Sequence, residues 1–179
     1  ILNSLLSKGP PKITSKRVLA RPIALILVPT RELSIQVGEE INKFCFGLNI
    51  TCLNVFGGQD ISIQMSKINN YKHIDILVGT PGRLTDLIKR EMICLENVQY
   101  FILDEGDRML DMGFKPQIDE IIYNFNLPSK EMRRNMMFSA TFSKEVLEIS
   151  RSYMKEYIKI FNNEGKYTMN EKIKQEFIK

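Results

Sequence analysis

Five short apolar runs, each closed abruptly by polar residues, glycine or proline and then followed by a helical pattern, constrain this chain more than any other feature. The run 23–28 (Ile-Ala-Leu-Ile-Leu-Val) ends at Pro29-Thr30-Arg31-Glu32. The run 50–56 ends at Gly57-Gly58, and the run 75–78 at Gly79-Thr80-Pro81-Gly82-Arg83. The run 100–103 ends at Asp104-Glu105-Gly106-Asp107, and the run 136–138 at Ser139-Ala140-Thr141. Continuous apolar stretches of this length suit strands buried on both faces. Between them, apolar positions recur at helical spacing: Leu33, Val37, Ile41 and Phe44, then Ile61, Met65 and Ile68, then Leu84, Leu87 and Ile88, then Val146, Leu147, Ser150 and Tyr153. Strands alternating with helices predict an α/β fold, a parallel sheet flanked by helices on both faces with right-handed crossovers.

That architecture directs attention to one edge. In an open parallel sheet, ligands bind beyond the carboxyl ends of the strands. All five polar clusters lie there, so the sequence predicts a row of them along a common rim.

Composition excludes some classes and selects none. No apolar run approaches the roughly 20 residues that span a bilayer, so no membrane partner is expected. A net charge of +4 permits a polyanionic partner without demanding one. Cys45, Cys52 and Cys94 are scattered and His73 is the only histidine. A zinc site needs more ligands at tighter spacing, so the cysteines are expected at apolar or half-buried positions of a protein from a reducing compartment, cytoplasmic or nuclear. Residues 7–21, rich in Lys, Pro and Ser, read as an exposed loop. Residues 161–179, rich in Asn, Lys and Glu, read as a linker.

The cluster Asp104-Glu105-Gly106-Asp107 carries the clearest chemistry. A carboxylate at the tip of a buried strand, here Asp104, can hold Mg²⁺ through water beside nucleotide phosphates. A second one beside it, Glu105, can orient and deprotonate an attacking water. An acidic turn or helix N-cap has the same residues.

Taken together and in order, the clusters resemble those of the DEAD-box family of ATP-dependent RNA helicases over about residues 24–157. Pro29-Thr30-Arg31-Glu32-Leu33 is similar to motif Ia, Gly57-Gly58 to the GG element and Thr80-Pro81-Gly82-Arg83 to motif Ib. Asp104-Glu105-Gly106-Asp107 is similar to motif II and Ser139-Ala140-Thr141 to motif III. The stretch 107–114 (Asp-Arg-Met-Leu-Asp-Met-Gly-Phe) resembles the Vasa/Belle branch.

The resemblance implies a RecA-like (P-loop NTPase) domain over residues 1–160. It implies ATP and Mg²⁺ as cofactors, with Asp104, Glu105, Asp107, Ser139 and Thr141 as catalytic residues. It implies sequence-independent binding of a single-stranded RNA backbone by Pro29, Thr30, Arg31, Gly57, Gly58, Thr80, Pro81, Gly82 and Arg83. Plainer roles compete: Thr30 as an N-cap, Gly57-Gly58 as a turn, Thr80-Pro81 as a helix start, and Ser139 and Thr141 as caps for a helix from Lys144. The family reading instead ties Ser139 and Thr141 to Asp107, linking nucleotide state to domain position.

Two departures from the family stand out. Gly106 occupies the position of the family's alanine. The sequence also has no G-x-x-x-x-G-K-[ST] phosphate loop, and Gly9-Pro10-Pro11-Lys12 lacks the N–H donors to replace one. The adenine-reading Q motif and the second RecA-like domain are missing as well. The expectation is therefore a partial domain beginning after the phosphate loop, with exposed strand edges, from a longer parent, and without ATP hydrolysis by itself. A degenerate RecA-like module that binds RNA or protein without turnover is the alternative.

Overall fold

The computed structural model describes residues 1–8, 19–71 and 73–160. The expected linker 161–179, and most of the expected loop 7–21, lie outside the described residues.

Five strands form one parallel sheet: β1 (Ala24–Leu27), β2 (Cys52–Val55), β3 (Ile76–Gly79), β4 (Tyr100–Leu103) and β5 (Arg134–Met137). Their spatial order is β2-β3-β1-β4-β5. Every neighbouring pair is parallel. Four strands fall on the expected apolar runs to within two residues at their ends, but β5 begins two residues before the run 136–138, at Arg134 and Asn135.

Alternate residues serve opposite faces, as strand geometry requires. Ala24, Ile26, Cys52, Ile76, Val78, Tyr100 and Ile102 build a core with Leu5, Val28 and Cys45. That face carries α1 (Leu2–Lys8) and α2 (Arg31–Cys45). Leu25, Leu27, Leu53, Val55, Leu77, Phe101 and Leu103 build the other core. It is covered by α3 (Ile61–Asn70), α4 (Pro81–Lys89), α5 (Gly106–Asp111), α6 (Lys115–Tyr123) and α7 (Lys144–Tyr153). With both faces covered, the sheet reads as continuous apolar sequence.

α2 departs from the expected stripe. Its buried residues are Ser34, Gly38 and Cys45, and Phe44 is 69% exposed. Gly38 sits against Asn54 of β2, whose side-chain amide donates to the Ser34 carbonyl. The helix approaches the sheet along small residues, which turns the bulkier Leu33, Val37 and Ile41 to flanking positions and Phe44 to solvent.

β5 is a terminal strand among the described residues, and none of its four residues is fully buried. A cavity of about 780 Å³ runs beside it, lined in part by Tyr100, Met136, Met137, Phe142 and Met154. The cysteines follow expectation: Cys45 and Cys52 are buried and Cys94 half-buried. Burial pushes the Cys52 thiol up to about 12, so it is an inert filler. No described helix is long and apolar enough to cross a membrane.

The seat of α2 is testable. A Cβ on Gly38 would clash with the Asn54 side chain, so Gly38→Ala should destabilise the domain by about 1–3 kcal/mol. A urea midpoint equal to wild type would show that Asn54 swings clear and that the close approach is not fixed.

Candidate nucleic-acid and nucleotide site

All five polar clusters follow directly on the carboxyl ends of the five strands. Along the rim they run Gly57-Gly58, Thr80–Arg83, Pro29–Arg31, Asp104–Asp107, Ser139–Thr141, the order of the sheet. With neighbouring strands roughly 4.8 Å apart, the rim is about 19 Å long. The three clusters expected to meet RNA occupy one end, and the two expected to act at a nucleotide occupy the other.

At the first end, Thr30 is the N-cap of α2. Its backbone is extended and its hydroxyl accepts from the Leu33 N–H at 3.2 Å. Thr80 takes the same position before α4 without a side-chain cap bond, and is 8% exposed. Pro81 fills the first turn, where a missing N–H costs nothing. Both helices aim their amino ends at the rim, and helix amino ends favour anions. Gly82 is exposed, and nothing lies within 4 Å of a Cβ built on it or on Gly57. Gly58 has φ +75°, a conformation that glycine adopts freely.

The two arginines are engaged with the chain itself. Arg31 donates to the Gly58 carbonyl at 3.2 Å and lies over the Phe56 ring, 5.2 Å from its centre. Arg83 donates to the Gln59 carbonyl at 2.8 Å. They therefore tie the helices α2 and α4 to the glycine loop after β2.

At the other end, Asp104 is half-buried and its Oδ1 accepts from the Glu105 N–H at 3.0 Å. Burial holds its carboxyl above the ordinary aspartate range; the Glu105 amide opposes that and the Glu105 charge adds to it. Glu105 has a left-handed backbone, φ 50° and ψ 51°. For a non-glycine residue this is a strained conformation of the kind found at functional sites. Its carboxylate pairs with Arg108 at 3.1 Å. Gly106 donates its N–H to the Phe138 carbonyl at 2.9 Å.

Asp107 joins β4 to β5. Its Oδ2 accepts from the Thr141 N–H and hydroxyl, each at 2.8 Å. Ser139 engages the backbone instead: its hydroxyl accepts from the Asp107 N–H at 3.1 Å and donates to the Thr141 carbonyl at 2.7 Å. Burial raises the Asp107 pKa, but the hydrogen bonds from Thr141 and the Arg108 amide outweigh it, and the net shift is downward. The helix from Lys144 is capped by Ser143, whose hydroxyl accepts from Val146. The capping role considered for Ser139 and Thr141 belongs to Ser143.

Asp104 fits a hydrated divalent ion. It is a desolvated carboxylate beside a second anion, and a cation would relieve both. Among the described residues no three His, Cys, Asp or Glu side chains converge as metal ligands.

Gln64 was not singled out from sequence. It is 2% exposed, and its amide pairs with both backbone groups of Phe56, at 3.2 and 2.8 Å, and with Gln59 at 3.1 Å. The available signal was a polar residue inside the apolar stripe between Ile61 and Ile68.

Comparison with known proteins identifies the family. The chain is 43% identical over 142 residues to DEAD-box ATP-dependent RNA helicase 52A of rice (Oryza sativa subsp. japonica), covering 79% of this chain and 23% of that protein. It thus spans about a quarter of that relative's length. The crystal structure of a DEAD box protein from the hyperthermophile Methanococcus jannaschii matches with a TM-score of 0.69 and 39% identity, over 79% of this chain and 37% of that one. The yeast DEAD-box splicing factor Prp28 matches with a TM-score of 0.73 and 32% identity, over 84% of this chain and 34% of that one. The sheet is therefore RecA-like, as in these structures. The family model described as DEAD/DEAH box helicase matches residues 5–149, all five strand-end clusters included, and the chain belongs to that family.

Proposed function

We propose that this chain is the core of the first RecA-like domain of an ATP-dependent RNA helicase, which in its full-length parent couples ATP hydrolysis to local separation of RNA strands. The observation that carries the reading is the single rim on which an acidic nucleotide end and a phosphate-binding end lie side by side. In this reading residues 1–160 are part of the domain and 161–179 lead to a second RecA-like domain. The sequence carries no G-x-x-x-x-G-K-[ST] phosphate loop, so in this reading residues 1–179 do not hydrolyse ATP by themselves. The stretch 107–114 supports a place near the Vasa/Belle branch, and the parent acts in the cytoplasm or nucleus.

The geometry supports a role for each cluster. Asp104 holds Mg²⁺ through water, and the ion supplies charge neutralisation at the nucleotide phosphates. Glu105, pinned in a strained backbone at the strand tip, orients the attacking water and takes its proton. RNA phosphates meet the amino ends of α2 and α4 and the hydroxyls of Thr30 and Thr80, while Gly57, Gly58 and Gly82 leave room for the sugar-phosphate backbone. Pro29 and Pro81 fix the two turns. Arg31 and Arg83 act first on the loop and add positive charge to the rim. No base edge is read, so binding is independent of sequence.

Gly106 is compatible with hydrolysis. A Cβ built there would meet Met137 Cε at 2.9 Å and Cγ at 3.4 Å. Met137 thus fills the space of the family's alanine methyl, and its Cε is the movable end of a flexible side chain.

Three outcomes test the reading. Glu105→Gln in the full-length parent should lower RNA-stimulated ATP turnover by about 100-fold or more; turnover equal to wild type removes Glu105 from the chemistry. Gly106→Ala should leave turnover in place and stabilise the domain by about 0.5 kcal/mol, whereas a lowered melting temperature would show Met137 to be rigid. Thr141→Val tests the Asp107 link by pH. A depressed carboxyl stabilises the fold above its unfolded pKa, near 3.9, and that stability is lost as pH falls through the folded value. Removing the Thr141 hydroxyl raises the folded value, so acid unfolding should begin at higher pH. An unchanged acid limb would sever that link.

A further inference from the structure

The glycine loop after β2 is held at both ends, and the hold at its start comes from a residue with no assigned role. Gln64 lies in the middle of α3, packed between Ile61 and Ile68 on the side facing the sheet. Its side-chain oxygen accepts from the Phe56 N–H at 3.2 Å. Its nitrogen donates to the Phe56 carbonyl at 2.8 Å and to the Gln59 side-chain oxygen at 3.1 Å. This amide orientation serves both Phe56 groups; the flipped one would serve neither. The carboxamide thus engages Phe56 as a neighbouring peptide would in a sheet, one residue past the end of β2.

Packing does not explain a glutamine here. At 2% exposure, a methionine or leucine would cover the sheet without the cost of burying an amide. The polar atoms are spent on the chain immediately before Gly57. Arg31 and Arg83 hold the far side of the same loop through the Gly58 and Gln59 carbonyls. Those two are partly open to water, which can replace a lost bond. The Gln64 side chain is buried and Phe56 half-buried, so removing the amide leaves the N–H and carbonyl of Phe56 without their side-chain partner.

We propose that Gln64 is a positioning residue for RNA binding: it fixes the direction in which the chain leaves β2, so that Gly57 and Gly58 present open backbone to the sugar-phosphate chain. This rests on the reading of the β2-β3-β1 end of the rim as the RNA side. Gln64 touches no RNA and acts through the loop alone.

The test is an RNA titration of ATP turnover in the full-length parent, with single-stranded oligouridylate as the probe. It compares wild type, Gln64→Met, Gln64→Glu and, as a marker of the rim itself, Thr80→Val. Gln64→Met should raise the half-saturating RNA concentration about tenfold, the equivalent of one lost hydrogen bond. Its rate at saturating RNA should stay within about twofold of wild type. Gln64→Glu keeps an acceptor for the Phe56 N–H but loses the donor while ionised. Its RNA affinity relative to wild type should therefore recover between about pH 8 and pH 5.5, as the buried acid protonates. If Thr80→Val weakens RNA binding and Gln64→Met does not, the role of Gln64 is rejected and the RNA rim stands. If neither variant weakens binding, the rim reading fails and takes this proposal with it. If Gln64→Met lowers the saturated rate and the folded fraction together, Gln64 is a core residue only and the proposal is overturned.

Discussion

The shared register of the five strands is the constraint on which everything else depends. Leu27 pairs with Gly79 on one side and Leu103 on the other. Gly79 pairs with Val55, and Leu103 with Met137. The strands therefore stop in one row, and the chain after each stop begins at the same height. A slip of one residue in any strand would move its cluster by about 3.3 Å and turn its buried side chains to the opposite face. Because both faces are packed, each strand resists that slip. Hydrophobic patterning thus sets the alignment of polar residues that never enter the core.

On that rim, two kinds of cross-link divide the work. At the β2-β3-β1 end, side chains from three helices converge on one loop: Arg31 from α2, Gln64 from α3 and Arg83 from α4. Motifs far apart in sequence become a single surface, and a phosphate chain that met one would meet all three in fixed relation. At the β4-β5 end, Asp107 and Thr141 bind the two acidic and hydroxyl clusters together, with Ser139 holding the backbone on both sides. This second link leans on β5, the least buried strand of the sheet.

What sequence revealed and what it hid follow the same physics. β1, β3 and β4 were legible because burial on both faces leaves a run with no polar interruption, whereas Arg134 and Asn135 hid the start of β5; the clusters were legible because each run stops sharply. The stripe of α2 was misplaced at Phe44: large apolar residues mark a helix face in general, but here Ser34 and Gly38 make the closest approach, through a contact with Asn54 that lies twenty residues on. Ser139 and Thr141 could not be separated from helix caps, since both roles need a hydroxyl near a helix start; Ser143 takes that role in three dimensions. Arg31 and Arg83 were read as charges for a ligand, because their carbonyl partners on the glycine loop belong to another part of the chain. Gln64 lay in plain view as a polar interruption, but its meaning depends on Phe56, which only the fold brings beside it.

The strain in the acidic cluster can now be placed. Glu105 adopts a left-handed backbone, and Asp104 carries a charge that burial disfavours. Neither helps the fold. Both are held because the chain on each side is fixed: Asp104 N–H donates to the Leu27 carbonyl, and Gly106 N–H to the Phe138 carbonyl. The sheet is thus bonded on both sides of Glu105, to β1 before it and to the end of β5 after it. A residue caught between two such anchors has few backbone states to choose from, so the direction in which its side chain leaves the backbone is set before any ligand arrives. Glycine at position 106 fits this account, because its amide must come within bonding distance of Phe138 while Met137 occupies the space a methyl would need. The departure from the family's alanine is then a packing exchange with β5, and the backbone on either side keeps the course that the two anchors impose.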